Sequence, residues 1–108
     1  GLVFTSDPYF AFRSRLLAEF AMKYRVPAIT QSRDFPMAGG LMSYGGDFAQ
    51  SHRRAGMYAG RILKGEKPSD LPVQLVTKVE FIINMKAAKL LGREFSPSFV
   101  SGADEVIE

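Results

Sequence analysis

The stretch Gly1-Leu2-Val3-Phe4-Thr5-Ser6-Asp7-Pro8-Tyr9-Phe10 decides the fold. Its first five residues, with Leu2, Val3 and Phe4 in a row, read as a buried strand. Ser6 or Asp7 then supplies a helix N-cap. Pro8 takes the first helical position, where its missing N–H is no loss. A strand that passes directly into a helix opens a βα unit, the repeating element of α/β architecture. A natural domain rarely starts in mid-strand, so the chain is expected to be a piece of a longer protein.

Downstream, the same alternation continues. A helix is expected over about residues 8–24, with Phe10, Leu17, Phe20, Ala21 and Tyr24 mainly on its inner face. Ala28-Ile29-Thr30 forms a short strand after Pro27. Residues 31–40, broken by Pro36 and Gly39-Gly40, make a loop with one helical turn. Leu41-Met42-Ser43-Tyr44 is a strand stopped by Gly45-Gly46. Asp47 caps a second long helix with Phe48, Ala55, Ala59, Ile62 and Leu63 on one face, closed by Lys64-Gly65. Ser69 to Pro72 is a turn. Val73–Val76 and Val79–Ile83 read as strands, Asn84 caps a helix over residues 85–91 closed by Gly92, and Ser96-Pro97 starts a helical turn. Val106-Ile107 ends the chain in a last strand. The fold class is α/β, three-layer, with a mainly parallel sheet and right-handed crossovers.

Composition narrows the function. The chain has 108 residues, 46% of them hydrophobic, which suits one packed domain rather than a disordered segment. No apolar run approaches the ~18–20 residues that span a bilayer. With no Cys, a disulfide scaffold, a thiolate metal site and a Cys nucleophile are excluded. The net charge is +3, and residues 1–54 carry all of the excess. That is too mild for a nucleic-acid footprint, and Arg13, Arg15, Lys23 and Arg25, diluted by Glu19, read as a solvated helix face.

Catalytic signatures fail in turn. His52 is the sole His, and no carboxylates stand at metal-ligand spacing from it. It reads as a core or boundary residue of its helix. Ser43, His52 and Asp47 could form a triad, yet Ser43 lacks the glycine-flanked elbow. The run from Gly39 to Gly46 is neither a dinucleotide fingerprint nor a P-loop. It reads either as turns around a short strand or as glycines that let a ligand approach the backbone. Ser6-Asp7-Pro8-Tyr9-Phe10 is more informative, because open α/β sheets hold ligands at the carboxyl ends of strands. Free N–H groups at a helix start favour a carboxylate there. Asp7 can accept an ammonium, and Tyr9 and Phe10 can supply an apolar wall. The alternative reading is a capping Asp followed by core aromatics.

Several segments together resemble one family. They are Ser6–Phe10, Arg25–Ile29, Ala38–Gly45, Ala55–Pro68, Asp70–Gln74, Phe81–Gly92 and Ala103–Glu108, in that order. The chain resembles the carboxyl-terminal part of bacterial ABC-transporter substrate-binding proteins, in the branch that includes tryptophan- and tyrosine-type binders. The resemblance covers nearly all of the chain. It implies one lobe, with a crossover tail, of a two-lobed periplasmic-binding-protein fold that closes on a small solute by hinge motion and presents it to a membrane permease. No chemistry and no cofactor are implied, and the setting is the periplasm or a membrane-anchored position outside the cytoplasm. Asp7 matches the family's solute-touching Asp, although Pro8 stands where aromatic amino-acid binders have Asn. Ser43 and Tyr44 match the family's other cleft-facing strand end. Residues 1–78 would then belong to the second lobe on the ligand-cleft side. Residues 79–108 would cross back onto a first lobe, leaving Phe81, Ile83, Leu90, Leu91, Phe95 and Phe99 exposed and prone to self-association. Two other classes stand beside this reading. One is a flavodoxin-like nucleotide-binding or enzymatic domain with phosphate near Gly45-Gly46-Asp47, and Asp47 disfavours it by competing for the same N–H groups. The other is the ligand-sensing domain of a regulator.

Overall fold

The computed structural model describes residues 1–75 and 78–108. Two compact units emerge: Gly1–Gly45 together with Glu80–Glu108, and Gly46–Val79. The chain passes between the two units twice, after Gly45 and after Val79.

The first unit holds a five-stranded sheet in the order β1 (Leu2–Val3), β2 (Ala28–Thr30), β3 (Met42–Gly46), β4 (Val79–Asn84), β5 (Glu105–Ile107). β1, β2 and β3 are parallel, with Val3 beside Ile29 and Ile29 beside Met42. β4 and β5 are also parallel to each other, with Ile83 beside Val106. Between β3 and β4, the Asn84 N–H donates to the Leu41 carbonyl at 2.8 Å, while the Phe81 ring stands 6.1 Å from that of Tyr44. Residue numbers therefore rise along one strand as they fall along the other, and this pair is antiparallel. One consequence positions everything below: the amino ends of β4 and β5 lie at the same end of the sheet as the carboxyl ends of β1, β2 and β3.

Between β1 and β2 the single expected helix is two, α1 (Pro8–Ala11) and α2 (Ser14–Lys23). The Ser14 hydroxyl donates to the Ala11 carbonyl at 2.7 Å, a local bond that competes with helix continuation. The break turns the inner face. Ser14, Ala18 and Ala21 are buried, whereas Phe20 and Tyr24 are exposed, contrary to the sequence expectation. Small residues on that face let α2 lie close to the sheet, where Ala18 and Ala21 pack with Ala28 and the fully buried Phe35. Burial of a ring such as Phe35 contributes roughly 1.5–3 kcal/mol. Phe35 belongs to α3 (Asp34–Met37), and its ring fills the space that any side chain on Gly40 would need.

The tail is not left hanging. Ile82 and Ile83 on β4 are almost completely buried, and α5 (Met85–Leu90) sets Ala87 and Ala88 against Leu41. The Asn84 carbonyl oxygen of the side chain caps α5 as expected, and Ser96 caps α6 (Pro97–Val100). Of the apolar groups expected to be stranded, Ile83 is fully buried and Phe81 is half-buried. Phe81 lies in a ring ladder with Phe99 at 5.4 Å, and Phe99 with Phe95 at 5.0 Å. Leu91 and Phe95 are partly buried, and only Leu90 and Phe99 remain exposed. The physical reason is that β4 joins β3, so the segment completes this unit's own sheet.

The second unit is α4 (Phe48–Leu63) and a return segment. Asp47 caps α4 through the Gln50 N–H at 3.0 Å, as the sequence indicates. The Tyr58 hydroxyl donates to the Pro72 carbonyl at 2.6 Å, and Arg61 grips Glu66. His52 is exposed, its Nδ1 2.7 Å from the Phe48 carbonyl, and so is not a core residue. Val73, Gln74 and Leu75 form no strand, and Val76 lies outside the described residues.

Candidate functional site

The loops that gather at one end of the sheet are those after β1, β2 and β3 and those before β4 and β5. Asp7, Tyr9 and Phe10 leave β1 together. Tyr44 comes from β3, two strands away, at a separation of about 10 Å by sheet geometry. Ser43 is buried at 1% exposure, which removes it from any solute surface, while Tyr44 is 60% exposed. The adjacent pair thus splits by strand alternation: one side chain enters the core and the next faces out.

The start of α1 overturns one expectation. Pro8 has no N–H. The Tyr9 N–H donates to Asp7 Oδ1 at 2.7 Å, and the Phe10 and Ala11 N–H groups donate to the Asp7 carbonyl at 3.1 and 3.0 Å. Every N–H that would greet a carboxylate is already spent. Asp7 remains exposed, with no cation in ion-pair range among the described residues. Tyr9 is exposed too, its ring 5.8 Å from Phe10 on one side and under the Arg13 guanidinium, 3.8 Å away, on the other. Phe10 continues inward to Phe4 at 5.7 Å. The Tyr9 and Phe10 rings are thus anchored through Phe4 to Phe35 in the core.

Residues after β2 belong to the same end and were not singled out in the sequence. Thr5, Ser6, Asp7, Thr30, Gln31 and Ser32 line a cavity of about 20 Å³. Gln31 packs so closely on Gly45 that a Cβ there would strike its Cγ and its carbonyl oxygen. Arg33 donates to Glu80 at 3.3 Å and to Glu105 at 2.9 Å, tying the amino ends of β4 and β5 to the loop after β2. Asp104 accepts the Phe81 N–H at 2.8 Å. The signal that could have found Gln31 and Arg33 is position alone: Gln31 directly follows β2, and Arg33 stands just before α3. A larger groove, about 530 Å³ beside α5, is lined by Lys86, Lys89, Arg93 and Phe95 among others and holds none of the residues read from the sequence. The loops are the candidate site, because open α/β sheets hold ligands at the carboxyl ends of strands. No group of three or more metal-ligating side chains occurs among the described residues.

This geometry defines the chain as an open-sheet α/β domain. The family of ABC transporter substrate binding proteins matches residues 1–107, and the chain belongs to that family. No curated protein matches it. Among solved structures it is similar to a conserved domain protein from Vibrio cholerae (23% identity, TM-score 0.84). It is also similar to an ABC domain from Streptococcus pneumoniae in complex with L-Trp (25% identity, TM-score 0.81). Both likenesses cover 97% of this chain. A third similar structure is the ligand-free, open form of CD0873, a substrate binding protein with adhesive properties from Clostridium difficile. There the identity is 22% and the TM-score 0.60 over 99% of this chain. The chain spans 36% of the length of each.

Proposed function

We propose that the chain forms part of the solute-binding component of an ABC import system, and that it holds a small molecule without transforming it. The observation that carries this reading is the family match over residues 1–107. The exposed Asp7 and Tyr9 at the carboxyl end of β1 support it locally. The contact set is Asp7, Tyr9, Phe10 and Tyr44. The solute is an amino acid or a related metabolite, in keeping with the L-Trp complex of the pneumococcal relative. The partner that receives it is a membrane permease, which puts the protein outside the cytoplasm. No helix among the described residues is long and apolar enough to cross a membrane.

The test is mass spectrometry of small molecules released when the parent protein, purified from its host, is denatured. A stoichiometric amino acid or related metabolite is the expected result. A bound nucleotide would overturn the reading in favour of an enzymatic α/β domain.

A further inference from the structure

α2 buries its small residues and leaves its large ones outside. Ser14, Ala18 and Ala21 are buried, while Leu16, Phe20 and Tyr24 are exposed. Their spacing of four residues sets them in one row along the helix, about 12 Å long. The Phe20 and Tyr24 rings stand 6.4 Å apart. Four residues before Leu16, at the end of α1, Phe12 is 89% exposed. A helix that faces only water carries polar residues on its outer side, so a row of large apolar groups there marks an interaction surface.

Charge says what kind. The same stretch carries Arg13, Arg15, Lys23 and Arg25 against a single acid, Glu19. Arg15 holds Glu19 at 3.2 Å. Among the described residues no carboxylate is in ion-pair range of Arg13, Lys23 or Arg25. Lys23 lies 5.6 Å over the Tyr24 ring, so a cation and an aromatic group reach the surface together. Protruding rings flanked by free cations complement a surface that is anionic on top and apolar beneath.

Shape selects among the candidates. The row is a convex ridge on a helix whose inner side is packed into the core with Phe35. Single strands of nucleic acid are held in grooves, not on ridges. A second copy packed on the ridge by two-fold symmetry, the helices antiparallel about Ala18, sets the Arg13 end of one against the Lys23 end of the other, like charge on like charge. A fluid bilayer needs no matching groove. It admits the apolar side chains to the boundary of headgroups and acyl chains while the cations stay with the phosphates.

We infer that the outer face of α2 docks on an anionic lipid bilayer, with Phe12, Leu16, Phe20 and Tyr24 entering the boundary layer and the cations beside them on the lipid phosphates. The inference is independent of the solute and of the loops at the end of the sheet.

The test is flotation of the parent protein with vesicles of equal parts phosphatidylglycerol and phosphatidylcholine, compared with vesicles of phosphatidylcholine alone. Stronger binding to the anionic vesicles, weakening as salt is raised, is the expected result. Phe12→Ser combined with Phe20→Ser lowers the partition coefficient about tenfold or more. Lys23→Glu alone lowers it about fivefold or more. All three side chains are exposed, and an unchanged far-UV spectrum and melting temperature show that the variants fold. The inference is overturned if the anionic lipid adds nothing to binding, or if the variants float as the original does. A single-stranded oligonucleotide or a second copy bound through the ridge, with no vesicle binding, overturns it as well. Solute release from the denatured parent is read separately, so the docking surface and the solute-binding reading stand or fall apart from each other.

Discussion

The side-chain amide of Asn84 donates to the carbonyl of Pro36 at 2.9 Å, joining residues far apart in the chain. Its oxygen meanwhile caps α5 through the Ala87 N–H at 2.9 Å. One buried side chain thus fastens α3 to the start of α5. Asn84→Ala removes both bonds and strands the Pro36 carbonyl, so chemical denaturation should show a loss of about 2–4 kcal/mol. Asn84→Asp keeps the cap but turns a carboxylate toward that carbonyl. It should be destabilised at neutral pH and recover partly in acid, when the protonated group donates again.

Gly45 has no room for a methyl group, because the Gln31 side chain and backbone occupy the space. Gly45→Ala should lower stability by about 1–3 kcal/mol, the usual result of overfilling a packed site. Shortening Gln31 to Ala in the same chain should restore only part of it, since the Gln31 carbonyl oxygen stays in the way. A double-mutant cycle in urea measures that fraction.

Arg25 ends α2 with a φ of +54°, a left-handed conformation that a side chain disfavours. Its N–H and that of Val26 close the helix on Met22 and Ala21. Glycine fits this position without the steric penalty, so Arg25→Gly should raise stability by about 0.5–1 kcal/mol. An unchanged or lower denaturation midpoint would contradict this.

In the second unit, hydrogen bonds from Arg61, assisted by its charge, hold the Glu66 carboxyl below its usual range, and Arg61 is raised in return. A depressed carboxylate pKa contributes stability above its unfolded value and loses it as pH falls through the folded value. A ¹³C titration should therefore find Glu66 ionised to lower pH than an unpaired glutamate. Arg61→Met should return it toward the ordinary range.

Much of this architecture was legible in the sequence where a local signal carries it. Asp47, Asn84 and Ser96 each cap the helix they were read to cap, because a short polar side chain before an apolar run satisfies the first free N–H groups wherever the helix lies. Periodicity misled at α2. Phe20 and Tyr24 are large and apolar, yet Ser14, Ala18 and Ala21 won the inner face because close approach to the sheet favours small residues. The antiparallel return of β4 left no local trace, since strand direction is a property of pairing. Of the candidate residues, Asp7 caps α1, Tyr9 and Phe10 lie in its first turn, Tyr44 is exposed on β3 and Ser43 beside it is buried. Gln31 was missed because only its place directly after β2 marks it, and its packing against Gly45 is a property of the folded sheet.

The unit that carries the sheet is discontinuous, Gly1–Gly45 with Glu80–Glu108, and this sets an order of events during synthesis. The three parallel strands emerge before β4, and β3 then waits, one edge open, while the whole of Gly46–Val79 is made. At about 5–20 residues per second the wait lasts seconds, far longer than local helix formation needs. The finished sheet appears only when β4 arrives beside β3 and brings β5 with it. A nascent chain arrested before Glu80 should therefore be protease-sensitive over Gly1–Gly45, a vulnerability that ends abruptly once β4 and β5 leave the ribosome.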